Sequence, residues 1–241
     1  MNMKWTNNPG RVAGLLYLLL LVAPLRLIYI PNTLFVRGDA TATANNILAH
    51  ETLFRLGMFS ELFSGVVLIF LTLAFYRLFK GVSRYHAVLV ILLGGVMPAC
   101  INFVNVINDA AALILVRGAD FLSVFDKPQR DALAMLFLRL HGQQTVAAEI
   151  LWGLWLIPLA VLVYKSGFLP RFIGVWLVIN GCAYLATSTA GLLLPQWESV
   201  VASVTFPALF GELALMLWLI IKGVDQHAVD ASRAGPAATV S

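Results

Sequence analysis

The chain has 241 residues, of which 60% are hydrophobic and 12% charged, with a formal net charge of +4. A water-soluble domain carries about twice that share of charged residues, so a soluble globular fold is excluded. The charge excess does not indicate a nucleic-acid partner, because the basic residues sit at the ends of apolar stretches, where the positive-inside rule expects them.

Six apolar stretches are predicted to cross a membrane, at about 20 residues per crossing of a hydrocarbon core about 30 Å thick. Span one covers roughly residues 11–32 and ends at Pro31, a natural helix stop. Lys4 and Arg11 give its start the look of a signal peptide. The stretch is nevertheless too long for an h-region and contains Arg26, so it is read as a retained span. An outer loop, 37–51, has some helical character and precedes span two, about 53–79. The basic turn KGVSR leads into span three, about 86–115, which carries Gly94, Gly95 and Pro98. A second outer loop, 117–128, is followed by an amphipathic stretch, 129–140, with Pro128 suited to its first turn. A helix over residues 131–165 would be about 51 Å long, more than the membrane core accommodates. Residues 131–140 are therefore expected outside the membrane or at its interface, with span four beginning near His141.

Spans five and six cover about 171–194 and 201–222. The expected fold is all-α: one polytopic domain of six transmembrane helices over 1–223, then a small, polar tail, 224–241, expected to be disordered in the cytoplasm. Lys80, Arg84, Lys165 and Arg171 flank one side, whereas the opposite loops dilute Arg37, Arg117 and Arg130 with acidic residues. Both termini are accordingly expected in the cytoplasm. Cys100 and Cys182 lie in apolar segments and say little about redox compartment. The echo of VRGDA at Val36 by VRGAD at Val116 is too short to establish a duplication.

The most informative residues are the ionisable ones inside the spans: Arg26, Glu61, Asp109, His141, Glu149 and Glu212. A charge in hydrocarbon costs several kcal/mol and rarely persists without a partner or a task. In span three, Gly95, Pro98, Asn102, Asn105 and Asp109 fall within about 80° on a helical wheel. That stripe suits a polar cavity or interhelical bonding by amide side chains. In span two, Phe54, Gly57, Glu61, Gly65 and Leu68 share a face, and the two glycines should turn Glu61 into the bundle. Arg26 lies at a comparable depth in the antiparallel neighbour, so an Arg26–Glu61 pair is expected, with snorkelling of Arg26 as the alternative. In span four, His141, Gln144, Thr145, Ala148 and Trp152 form one face. His141 suits a proton carrier or ligand group, or an interfacial histidine bonded to a loop carbonyl. Glu149 and Glu212 lie near mid-membrane, where a protonated carboxyl bonded to a backbone carbonyl is the plain structural alternative to a functional acid. No HExxH, CxxC, GxSxG, P-loop or GxGxxG pattern occurs in a suitable context, and neither a metal nor a cofactor is expected.

The runs RVAGLLYLL from Arg11, TANNILAHETLFRLG from Thr43, LFLRLHGQ from Leu136, YKSGFLPRFIGVWLVINGCAYL from Tyr164 and GELALMLWLIIKG from Gly211 carry a resemblance. The chain resembles the bacterial membrane family known as domain of unknown function 4386 over nearly its whole length. Arg55, His141 and Glu212 fall on that family's motif positions. Glu61 stands where the family commonly has Asp, and Glu149 where it looks apolar. The resemblance implies six spans in a bacterial inner membrane and brings no activity with it.

Three functions compete. The first is a binding protein with a cavity open to the outer face. Arg26, Arg55, Glu61, Asn102, Asn105, Asp109, His141 and Gln144 are its candidate ligand-binding residues, for a small polar or amphipathic molecule or a lipid headgroup. The second is an intramembrane enzyme using carboxyl acid–base chemistry on a lipid or isoprenoid, with Glu61, His141, Glu149 and Glu212 as candidate catalytic groups. The third is a proton-coupled carrier, which six short spans would support best as a homo-oligomer. Membrane lipids are expected partners in each case.

Overall fold

The computed structural model describes residues 8–234, and every regular element among them is helical. Six helices are long and apolar enough to cross a membrane. In chain order the elements are α1 (Pro9–Leu34), α2 (Ala40–Ala49), α3 (Glu51–Phe79), α4 (Arg84–Arg117), α5 (Lys127–Lys165), α6 (Arg171–Leu193), α7 (Pro195–Ile221) and α8 (Gln226–Ala234). Only α2 and α8 are too short to span.

The helix starts follow from local chemistry. The Asn8 side chain accepts from the backbone N–H groups of Gly10 (3.0 Å) and Arg11 (3.3 Å), with Pro9 in the first turn, where a missing N–H does no harm. At α5 the Asp126 carboxylate accepts from Gln129 N (2.8 Å) while Gln129 Oε1 accepts from Asp126 N (3.0 Å), a reciprocal cap. Three spans are locally rewound beside prolines, α7 through a 3₁₀ turn at Phe206–Leu209 that holds Pro207. In α1 a 3₁₀ turn (Leu20–Val22) and a π turn (Leu25–Tyr29) flank Pro24. In α4 a π turn (Ile91–Val96) directly precedes Met97 and Pro98. Proline removes a ladder hydrogen bond, and the neighbouring carbonyls find wider or tighter partners.

Residues 129–140 are among the first turns of the continuous helix α5, with Ala134 and Leu138 buried in a hydrophobic core; at 39 residues the helix is longer than a membrane core accommodates, as the sequence implies. Two expectations change. Helix α7 begins at Pro195 rather than near 201, because a 3₁₀ turn at Pro195–Trp197 follows α6 almost at once. The tail expected to be disordered folds over part of its length. α8 covers Gln226–Ala234, buries Val229, and donates from Arg233 Nη2 to the carbonyl of Arg77 (2.8 Å). The rest of that tail lies outside the described residues.

The chain forms two compact units, and α1, α3, α4 and α5 contribute to both. Among the described residues, unit one takes in 8–20, Val67–Pro98 and 146–234; unit two is Leu21–Val66 with Ala99–Thr145. Unit one is built on Tyr17, Phe75, Phe79, Trp155, Leu159 and Leu215. Within it α4 comes so close to α5 that a Cβ on Gly94 would lie 2.3 Å from the Trp155 ring. Unit two is built on Ile30, Leu34, Ile47, Phe54, Leu113 and Leu138. There Gly57 lets α3 meet α1: an added Cβ would stand 2.2 Å from Ile30 Cδ1 and 3.2 Å from Arg26 Cδ.

Candidate functional site

Four helices of unit two each deliver one ionisable side chain to the same place: Arg26 from α1, Glu61 from α3, Asp109 from α4 and His141 from α5. Arg26 sits in the π turn of α1 and is 2% exposed; Asp109 is 0%, His141 2% and Glu61 6% exposed. The guanidinium forks onto Asp109, with Nε to Oδ2 at 2.6 Å and Nη2 to Oδ1 at 2.5 Å, the two-point geometry that arginine and carboxylate share. Its Cζ also lies 5.7 Å from the Phe35 ring and 6.0 Å from the Phe54 ring, which add a cation–π contribution.

His141 Nε2 lies 2.8 Å from Glu61 Oε2 and 3.6 Å from Asp109 Oδ2. The shorter contact requires a proton between nitrogen and oxygen, so His141 and Glu61 share one. Asn105, 2% exposed, ties the site to its frame. Its Nδ2 lies 3.3 Å from Glu61 Oε1, 3.3 Å from the His141 carbonyl and 3.5 Å from Thr145 Oγ1. Asn108 donates in turn to Asn105 Oδ1 (3.1 Å). Asn102 reaches the Glu61 carbonyl (3.5 Å), and Gln144 donates to the Ile101 carbonyl (3.2 Å). The ligand-capable atoms of Glu61, Asp109 and His141 all lie within 4.8 Å of one another.

The expected Arg26–Glu61 pair does not form. Arg26 takes Asp109 instead, and Glu61 takes His141. At Gly57 the arginine stem runs against the helix, and Glu61, one turn further on, faces α5. The short Asp109 side chain offers both oxygens to the fork. Arg26 is buried and does not snorkel, and His141 bonds to a carboxyl rather than to a loop carbonyl. Arg55 lies apart from these four: it is half exposed and pairs with Glu51 (2.7 Å), which Arg117 also meets at 3.1 Å.

The other two acids belong to unit one and have different company. Glu212 accepts from the Tyr17 hydroxyl and from Asn180 Nδ2 (3.3 Å), and the Tyr184 side chain faces the same carboxyl. Asn180 Oδ1 is buried without a hydrogen-bond partner, as is Glu149 Oε2. Glu149 interacts electrostatically with Glu198, a second carboxyl. Cys100 and Cys182 are free.

Six helices long and apolar enough to cross a membrane, with ionisable side chains buried among them, define an integral membrane protein. The chain belongs to the family described as Domain of unknown function (DUF4386), whose model matches residues 12–223. It is also similar to an uncharacterized protein of Archaeoglobus fulgidus, 31% identical over 74 residues. That stretch is 31% of this chain and 43% of the relative, so the chain spans less than half of the relative's length. No solved structure matches significantly.

Proposed function

We propose that unit two is a binding module of a multi-pass protein in the bacterial cytoplasmic membrane. It takes a small polar or amphipathic molecule, or a lipid headgroup, from the outer side. The observation that carries this reading is the convergence of Arg26, Glu61, Asp109 and His141 from four helices in a chain with only 12% charged residues. Apolar helices hold together without such groups, and burying an ion pair is at best weakly stabilising, so stability alone is a poor reason to keep four. Entry from the outer side follows from the basic residues at the opposite helix ends. An anionic group would compete with Asp109 for the Arg26 fork, and a hydroxyl or amine would bridge Glu61 and His141.

The shared proton between His141 and Glu61 favours one alternative, acid–base chemistry on a lipid or isoprenoid bound at the same place.

Native mass spectrometry of the protein extracted in mild detergent tests the binding reading. Wild type should carry a non-solvent adduct that a folded Glu61→Gln variant loses. Identical adducts on both would end it.

A further inference from the structure

We propose that Glu61, Asp109 and His141 form a site for a divalent transition-metal cation of the zinc class, an assignment that rests on reading unit two as a binding module. The argument is geometric. A tetrahedral ion with bonds of about 2.0–2.1 Å to nitrogen and oxygen keeps its ligand atoms about 3.3 Å apart. His141 Nε2 stands 2.8 Å from Glu61 Oε2 and 3.6 Å from Asp109 Oδ2, one slightly under and one slightly over that spacing. The closer pair needs to open by about half an ångström for an ion to replace the shared proton. The three ligands lie far apart in sequence, on α3, α4 and α5, which is why no short spacing motif discloses them.

The surroundings are those of a ligand set held in place. Metal-binding carboxylates and imidazoles are ordinarily oriented by hydrogen bonds from a second layer of side chains. Here the Arg26 fork fixes Asp109, and a lone pair of Oδ2 is left after the Nε bond. The Asn105 amide lies against Glu61 Oε1, which leaves Oε2 to face the imidazole. With a neutral imidazole, Arg26 and the two carboxylates sum to a single negative charge, so the site attracts a cation. One imidazole with two carboxylates suits zinc, iron(II), cobalt or manganese better than calcium or magnesium, whose sites are all-oxygen, or copper(I), which seeks thiolates. Three protein ligands leave a fourth position, the arrangement that lets a zinc-class ion hold a water or a donor atom of a bound molecule. The site would then recognise molecules carrying a coordinating oxygen or nitrogen.

The test uses the full-length protein in detergent micelles, purified without a histidine tag and dialysed against chelator, with Zn²⁺ and Co²⁺ as probes. Wild type should bind one zinc per chain in equilibrium dialysis and develop the visible bands of tetrahedral cobalt. His141→Ala should abolish both. Asn105→Ala, which leaves all three ligands in place, should weaken binding about 10- to 100-fold and keep the tetrahedral spectrum. A Glu149→Gln control should bind like wild type. Zinc binding that is absent, or unchanged by His141→Ala, overturns the metal assignment. The adduct measured by native mass spectrometry uses no added metal, so an adduct sensitive to Glu61→Gln in protein that binds no zinc would refute the metal and leave the binding module standing.

Discussion

The two units solve the problem of a carboxyl inside a membrane span in opposite ways. In unit two Asp109 and Glu61 are answered by Arg26 and His141, so ionisable groups meet ionisable groups. In unit one Glu212 is answered by a tyrosine hydroxyl and an amide, and Glu149 Oε2 by no hydrogen bond among the described residues. A neutral donor can be deleted with the loss of one hydrogen bond, whereas deleting a counter-charge strands the charge that remains. The same residue type is therefore expected to tolerate substitution in one unit and not in the other.

The largest effect should come from separating the buried fork. Arg26→Met leaves Asp109 without its cation and should destabilise the purified protein by about 3–5 kcal/mol, whereas Arg26→Met with Asp109→Leu should regain most of that loss. Thermal unfolding in micelles reads both. If the double variant is as unstable as the single one, stranded charge is not what matters in unit two. Next are the close approaches, one in each unit. Gly94→Ala forces Cβ to 2.3 Å from the Trp155 ring and should lose about 1–3 kcal/mol by overpacking, whereas Gly57→Ala meets the movable Cδ1 of Ile30 at 2.2 Å and should lose less. Gly65→Ala is the matched control, because its Cβ would meet Ala99 and Asn102 at an ordinary 3.5 Å. It should be neutral or slightly stabilising, and equal losses at all three glycines would show that helix contact is not the cause.

In unit one Tyr17→Phe removes one donor from Glu212 and should cost about 0.5–1.5 kcal/mol. Glu212→Gln should cost less than Tyr17→Phe. The substituted amide still accepts from Tyr17, and the unpartnered Asn180 Oδ1 can accept its N–H once the Asn180 amide turns over. A Glu212→Gln variant as unstable as Arg26→Met would erase the distinction between the units.

Much of this arrangement was legible in the sequence, and the gaps have physical causes. Hydropathy and charge locate six spans, and the helical wheel turns Glu61 inward and sets Asn105 and Asp109 on one polar stripe, while leaving His141 open between a ligand group and an interfacial histidine. A wheel fixes which face a residue occupies on its own helix but not which helix the face meets, so Arg26 was matched to the sequence neighbour that carries Glu61 rather than to α4. Rewinding at Pro24 shifts the register of the turn holding Arg26, which regular 100° steps do not anticipate. The excess length of α5 over a bilayer is legible, whereas the burial of Ala134 and Leu138 in its first turns depends on neighbours that the sequence does not name. The tail has the composition of a disordered segment, yet Val229 and Arg233 dock part of it onto unit one.

The smallest effect separates a charge pair by its surroundings rather than by its partners. Arg55 forms nearly as short a contact as Arg26 does, 2.7 Å to Glu51 against 2.5 Å to Asp109, but its side chain is 51% exposed. Solvent screens such a pair, and each partner can be hydrated when the other is gone. Arg117 also reaches Glu51, at 3.1 Å, so removing Arg55 leaves that carboxylate with a cation. Arg55→Ala should therefore leave the unfolding midpoint and the native-state adducts unchanged, although Arg55 lies only six positions before Glu61 on the same helix. A loss comparable to that of Arg26→Met would mean that the Glu51 ion pairs, and not burial among four helices, distinguish unit two from unit one.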